Sequence, residues 1–252
     1  MPYGLYISAA GAEVQARRME LLTNNLANAE TVGFKRELAM LSAQHSEAIE
    51  QGAAYPGSKQ LSDIGGGVEF KETMTDFSTG SMKQTGLKTD VAIENPQSFF
   101  VVQDEQGQQL LTRAGNFQTS AEGQLKTTAG HTVLNADNEP IVIDPALPFN
   151  IDEGGFVVQA DQRTPLALVK PNSMGDLARR GQNTFLPLAP PQPVEPTERK
   201  VRSGFLEQST VKPVQEMMEL IQTSRAYEAN VRLIQNQDNM IGSLVNRVLR
   251  QG

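Results

Sequence analysis

The chain has 252 residues, with 29 acidic and 22 basic side chains, a formal charge of -7, a pI near 5.0 and no cysteine. That acidity leaves no basic field for nucleic acid or anionic lipid, and the missing cysteines remove disulfides, thiolate metal sites and thiol catalysis together. The length allows one large domain or two smaller ones, while 21 Gly, 14 Pro and no Trp put much of the chain into turns and extended segments.

The N-terminus, MPYGLYISAAGAEVQARR, lacks the basic start and apolar run of a secretory signal peptide, and no stretch approaches the roughly eighteen apolar residues of a membrane span. A chain of this kind that leaves the cytoplasm needs another route. From Gly4 to about Ala29 the spacing predicts a helix, because Leu5, Ala9, Ala12, Ala16, Met19, Leu22 and Leu26 recur every three or four residues. A stripe this rich in Ala lets two helices approach closely. It suits either an ordinary core helix or a seam between molecules, and a second helical signal at the far end of the chain favours the seam.

The segment Leu22-Thr-Asn-Asn-Leu-Ala-Asn-Ala-Glu-Thr-Val-Gly-Phe-Lys-Arg36 follows. Asn28 and Thr31 can bond their own backbone and end a helix, Gly33 can take a positive φ, and Phe34 supplies an apolar anchor beyond the turn. The segment closely resembles the Asn-Asn-Leu-Ala-Asn…Thr-x-Gly-Phe/Tyr-Lys signature near the start of bacterial flagellar rod and hook proteins. The stretches Gly204-Phe-Leu-Glu-Gln-Ser-Thr-Val-Lys-Pro-Val-Gln-Glu-Met-Met218 and Gln222-Thr-Ser-Arg-Ala-Tyr-Glu-Ala-Asn230 resemble that family's signature at the opposite end.

From Glu37 to about Phe70 the pattern fades. Leu38, Leu41, Ala48 and Ile49 could prolong a helix to Glu50, but Gly52, Pro56, Gly57 and Gly65-Gly66-Gly67 interrupt it, so residues 37–70 are expected to form a linker with a short helix. The glycine triplet opens no convincing helix and lies in no βαβ unit, which sets aside a phosphate loop.

Residues 71–203 read as a β-rich middle domain. Val91-Ala-Ile, Phe99-Phe-Val-Val, Leu110-Leu-Thr, Gly123-Gln-Leu, Thr132-Val-Leu, Ile141-Val-Ile and Phe156-Val-Val are separated by Asn-Pro, Gln-Gly, Glu-Gly and Gly-Gly turn signals, at about the spacing of a sandwich or barrel. Asp90-Val-Ala-Ile93, Phe99-Phe100, Thr112-Arg-Ala-Gly-Asn-Phe117 and Gly123-Gln-Leu125 resemble landmarks of the same family. One departure is Asn95-Pro-Gln-Ser98, where relatives usually carry glycines before the paired Phe. The Pro-rich run Leu186 to Pro196 reads as a stiff extended connector.

The last segment, 204–252, holds the longest helical signal. Met217, Leu220, Ser224, Tyr227, Val231, Ile234, Asp238, Ile241, Val245 and Val248 step by three and four, as the a and d positions of a coiled coil do. Pro213 suits the first turn, and a helix from there to Leu249 is roughly 55 Å long. Met218, Ile221, Leu233, Leu244 and Leu249 form a second apolar set. The main seam is expected to bind the N-terminal helix in an antiparallel hairpin, and the second set to face neighbours.

Catalytic and metal chemistry find no support. His45 and His131 lie in segments of different character without carboxylates at ligand spacing, Ser209-Thr-Val-Lys212 has no companion motif, and no Gly-x-Ser-x-Gly elbow occurs. Arg113 with Asp90 could be a buried pair, though a Thr-Arg at a strand end more often forms a structural hub. No cofactor, metal, nucleic acid or small-molecule ligand is expected. The predicted class is α+β, with terminal helices forming a coiled-coil-like axial domain, 1–36 and 204–252, around a central all-β domain.

The resemblance implies a structural subunit of the basal-body rod, assembling helically through its terminal helices with copies of itself and other rod proteins. It further implies passage through the flagellar export apparatus without a cleaved signal peptide, into the periplasm-spanning rod. Expected interface residues are Leu5, Ala12, Met19, Asn24, Asn25, Leu26 and Asn28 near the start, and Met217, Tyr227, Val231, Ile234, Ile241, Val245 and Val248 near the end. Hook proteins carry larger outer domains than 252 residues can hold, and the single middle domain with the Val-Lys-Pro-Val entry fits the proximal rod type, the distal type being the alternative. From a different class, a coiled-coil adaptor displaying a β-domain would share the same layout.

Overall fold

The structure is a computed structural model that describes residues 3–45, 49 and 65–250, with backbone alone at 3 and 248–250. The chain forms two compact units. One, helical, takes its described residues from 3–27, 37–75 and 212–250; the other, β-rich, comprises 28–36 and 76–211. The Gly33 loop therefore belongs to the β-rich unit, and so does the segment from Gly204 to Val211.

In the helical unit, α1 (Tyr3–Ala27) and α2 (Pro213–Arg250) pack against each other, joined by a hairpin of β1 (Glu37–Gln44) and β2 (Gly67–Thr75) that lies on α1. Proline begins α2, where its missing N–H has no intrahelical acceptor to lose. At 38 residues and about 1.5 Å per residue, α2 runs some 57 Å, against about 37 Å for the 25 residues of α1.

Residues 37–44 and 67–70, expected to belong to a linker with a helix, are strands, and 71–75, expected in the middle domain, continue the second strand within the helical unit. They pair antiparallel from Glu37↔Thr75 to Gln44↔Gly67, with a register shift between Met40 and Leu41. A short isolated helix is marginal in water, and the ladder satisfies the same backbone groups with a partner distant in sequence. The expected continuation of that helix through Ala48 to Glu50 lies, apart from Ile49, outside the described residues.

The β-rich unit is built around strand Phe99–Gln103, which pairs with Gln109–Thr112 on one side and with Thr132–Val133 and Leu168–Lys170 on the other. Side chains alternate across a strand, so Phe100 and Val102 enter one buried cluster with Leu110, Phe117, Leu125 and Ile141, while Phe99 and Val101 enter another with Leu111, Leu134 and Phe185. A strand covered on both faces reads as a continuous apolar run, which is what Phe-Phe-Val-Val is. Phe77, Phe99 and Phe185 meet edge-on or tilted at 5.2–6.0 Å.

Two expectations change here. Ile141-Val-Ile makes a single isolated bridge, Val142 to Gln124, instead of a strand, with Ile141 and Ile143 still buried in the core. The proline run is no free connector: Thr184–Pro187 pairs with Gln109–Thr112 and Leu177–Arg179, Gln192–Pro193 pairs with Leu168–Lys170, and Val194 is buried. Proline tolerates these places because its lack of a donor matters least at a sheet edge.

Candidate functional site

The two helices run antiparallel. A Cβ placed on Gly4 would stand 2.9 Å from Gln237 Nε2, one on Gly11 would stand 3.2 Å from the Asn230 amide, and Asn25 Nδ2 donates to Glu216 Oε2 at 3.4 Å near the other end of the pair. Arg18 and Glu219 approach to 3.8 Å between these points. Asn25 is fully buried. Its amide also donates to the Glu37 carbonyl and accepts from the Glu37 N–H, both at 2.9 Å, so one side chain fastens the end of α1 to the start of β1.

On α1, Ala12 is buried and Leu5, Met19 and Leu26 are half-buried, whereas Asn24 is exposed. Asn28 falls in the β-rich unit, buried, accepting from the Thr31 hydroxyl at 3.1 Å. On α2, Leu220, Tyr227, Val231, Ile234 and Ile241 are half-buried, but Met217 and Val245 are exposed, and the side chain of Val248 is outside the described set. The residues most covered on α2 are instead Glu216 and Thr223, at 1% and 3% exposure. The contact is therefore turned toward the preceding polar track, 216, 223, 230 and 237. This turn leaves Val214, Met217, Met218, Ile221 and Leu233 in solvent, with Ile221 54% exposed, while Met240, Leu244 and Val245 lie beyond the level where Gln237 meets Gly4 and are exposed there. Exposed apolar surface of that extent is what association sites present.

The β-rich unit contains a buried ionic cluster that periodicity did not reveal. Glu207 receives Lys35 Nζ on Oε1 at 2.7 Å and Arg113 Nε on Oε2 at 2.7 Å, with Arg113 Nη2 also 2.7 Å from Oε2. All three side chains are essentially inaccessible. Arg113 gives its other N–H groups to the carbonyls of Asn95, Ser98 and Ile93, Lys35 donates to the Ser78 carbonyl, and the Gly80 N–H donates to Glu207 Oε1. A buried charge is tolerated when paired and hydrogen-bonded in this way.

Burial opposes ionisation of Glu207, but Arg113 and then Lys35 outweigh it and hold the carboxyl below its ordinary value. Burial lowers the pKa of Lys35, and Glu207, which it shares with Arg113, restores only part of the loss. One anion between two cations explains the two directions: the carboxylate gains from both partners, the ammonium from one. Arg113 is thus the structural hub of the strand-end reading, and its partner is Glu207. Asp90 is buried separately, in a bridge with Asn116.

The motif glycines and the unusual turn follow from the same cluster. Gly33 has φ +67°, and a Cβ there would lie 2.6 Å from the Ala114 nitrogen and the Arg113 carbonyl carbon; its N–H donates to the Glu207 carbonyl at 2.8 Å. A Cβ on Gly115 would collide with the Val91 carbonyl oxygen at 1.7 Å. Asn95-Pro-Gln-Ser98 closes a turn through Ser98 N–H to Asn95 O at 3.2 Å, with the Asn95 side chain accepting from Gln97 N–H. Proline at the second turn position and asparagine at the first do this without glycine, and both flanking carbonyls point to Arg113.

Among the described residues no helix is long and apolar enough to cross a membrane and no group of three or more His, Cys, Asp or Glu could hold a metal ion. Three family models match the chain. Residues 5–35 match one described as flagella basal body rod protein, 92–161 match the flagellar hook protein FlgE/F/G D1 domain, and 202–247 match flagellar basal body rod FlgEFG protein C-terminal. Each match contributes one member of the ionic cluster, Lys35, Arg113 and Glu207. The chain is 32% identical over 250 residues to the flagellar basal-body rod protein FlgF of Caulobacter vibrioides, covering 98% of each, and 31% identical to the rod protein FlgG of Buchnera aphidicola subsp. Schizaphis graminum over 95% of this chain and 97% of that one. The hook protein FlgE of Helicobacter mustelae is 33% identical over 51% of the chain but only 29% of its own length. The chain belongs to the flagellar basal-body rod family, as an FlgF-like axial structural subunit of the rod.

Proposed function

We propose that the chain builds its part of the rod through the helical unit, with the outer face of α2 docking against other subunits. The observation that carries this reading is the exposure of Met217, Met218, Ile221 and Leu233 along the pair and of Met240 and Leu244 where α2 runs past α1. Contacts that extend an axle are heterologous, one face meeting a different face on the next copy, so that the operation repeats as a helix. The expected interface residues accordingly divide: Leu5, Ala12, Met19, Leu26, Asn25, Tyr227, Val231, Ile234 and Ile241 close the intrachain pair, and Met217 and Val245 join the outward set. Partners are copies of this chain and other rod proteins, reached through the flagellar export apparatus without a cleaved signal peptide. Overall length and similarity to FlgF support a proximal position in the periplasm-spanning rod; the near-equal similarity to FlgG supports a distal one as the second reading.

Complementation of a strain lacking the protein tests the interface. Ile221→Asp and Leu233→Asp place charges on solvent-facing positions, so the monomer is expected to fold as the parent does while swimming and incorporation into basal bodies fail. Normal swimming with both substitutions would overturn the reading.

A further inference from the structure

We propose that a track of polar and glycine positions seven residues apart, and not the apolar stripe beside it, sets the register of the helix pair, with the buried Asn25 and Glu216 contact as its key. Gly4 meets Gln237 and Gly11 meets Asn230, so seven residues forward on α1 answer seven back on α2; fourteen further on α1 and fourteen back on α2 bring Asn25 to Glu216. The neighbouring apolar positions Leu220, Tyr227, Ile234 and Ile241 also repeat every seven. A repeat of that kind fits its partner nearly as well after a slip of one heptad, which is why single polar pairs are effective register devices in helical seams.

The polar track removes that degeneracy. Asn25 cannot follow a slip, because its amide is clamped to both backbone groups of Glu37. Sliding α2 by one heptad would carry Glu216, 1% exposed, away from that amide and put Thr223 or residue 209 at its level. The glycines act in the same sense, since they admit the Asn230 and Gln237 side chains where a Cβ would crowd them. The proposal concerns the single chain and holds independently of how subunits assemble. Its consequence is a fixed overhang: with Gly4 at Gln237, the residues of α2 after about Asp238 run past Tyr3, and Met240, Leu244 and Val245 are exposed there. A slip of one heptad would change that overhang by roughly 10 Å.

The absence of native cysteine makes the test direct. A Cβ on Gly11 lies 3.4 Å from Asn230 Cγ, within reach of a disulfide, so Gly11→Cys with Asn230→Cys reports the observed register and Gly11→Cys with Gln237→Cys reports a one-heptad slip. In the otherwise unaltered full-length chain, intrachain crosslinking of the first pair is expected to exceed that of the second by roughly tenfold or more. Adding Asn25→Leu and Glu216→Leu together should bring the two yields to within about twofold at unchanged helix content, while Glu216→Gln, which can still accept from Asn25, should keep the parent ratio. An unchanged ratio in the doubly leucine-substituted chain would overturn the proposal. So would a parallel fall of both yields with loss of helix, which would make the pair a general support and not a selector of register.

Discussion

The two units bury their side chains differently. The β-rich unit encloses both faces of its central strand, fills them with Phe99, Phe100, Phe117 and Phe185, and seals a three-member ionic cluster with every charge partnered. The helical unit buries Val14 and Leu22 but otherwise closes largely on small and polar side chains, Ala12, Asn25, Glu216 and Thr223, and leaves Met217, Met218, Ile221 and Leu233 of α2 outside. Burial of apolar area is the main favourable term in folding, so the first unit is expected to hold itself together and the second to gain stability when its exposed apolar residues are covered.

The comparison breaks most readily at Glu207. Replacing it by Ala, or Arg113 by Ala, leaves buried charge uncompensated, and a loss of about 3–5 kcal/mol is expected for the β-rich unit, read as a fall in the urea midpoint followed by the near-ultraviolet circular dichroism of its phenylalanines. Phenylalanine reports this unit because the chain has no tryptophan and no tyrosine falls within 28–36 or 76–211. A loss under ~1 kcal/mol would mean that the cluster does not anchor the fold.

Gly33→Ala ranks next. The residue sits at φ +67° against the Arg113 and Ala114 backbone, so the substitution combines a left-handed conformation costing roughly 1–2 kcal/mol with a contact that backbone must yield to. The same denaturation curve reads the effect. A stability equal to the parent's would show that the loop is not held in this conformation.

A smaller effect is expected from pH. Glu207 is held below its unfolded value of about 4.5, so its contribution is present above that value and is lost as pH falls through the folded one. Lys35 is lowered below 10.5, so between its folded and unfolded values the unfolded chain binds the extra proton and stability rises with pH. Midpoints measured across pH in the parent and in Lys35→Met should show the alkaline rise in the parent alone, with the acid fall in both. An alkaline rise retained in Lys35→Met would assign it elsewhere.

The smallest effect on folding belongs to the outer face of α2. Met218→Asp removes no buried contact, so stability is expected to stay within about 0.5 kcal/mol while incorporation into rods is lost. A large drop in the monomer's own midpoint would show that this face is already covered in the free chain.

The α+β layout was legible because its signals are local. Leu5, Ala12, Leu22 and Leu26 repeat at helical spacing, and Val91-Ala-Ile and Phe99-Phe-Val-Val are short apolar runs between turn residues. The face of α2 that meets α1 was legible only in part: counting apolar residues finds the half-buried Leu220, Tyr227, Val231, Ile234 and Ile241, but it also selects the exposed Met217 and Val245 and misses the buried Glu216 and Thr223. The observed contact depends on Gly4 and Gly11 admitting Gln237 and Asn230, a relation between residues more than two hundred apart. Glu37–Gln44 was misread for a similar reason, its strand character coming from pairing with Gly67–Thr75. The ionic cluster was half visible. Lys35, Arg113 and Glu207 all stand in the quoted motifs, but nothing local in Gly-Phe-Leu-Glu207 announces a carboxylate that meets the other two. A surplus of charged residues inside otherwise apolar motif segments is the signal that could have found it.

The central claim is that the β-rich unit is self-sufficient while the helix pair depends on its neighbours. Amide hydrogen exchange of the full-length chain, as a proven monomer and again within isolated basal bodies, tests it directly. Amides of Phe99–Gln103 and Gln109–Thr112 should exchange at the slow rate of global unfolding in both states, whereas those of Tyr3–Ala27 and Pro213–Arg250 should exchange at least tenfold faster in the monomer and become strongly protected on assembly. Helix amides as slow as the strand amides in the monomer, with no further protection in the rod, would contradict the account.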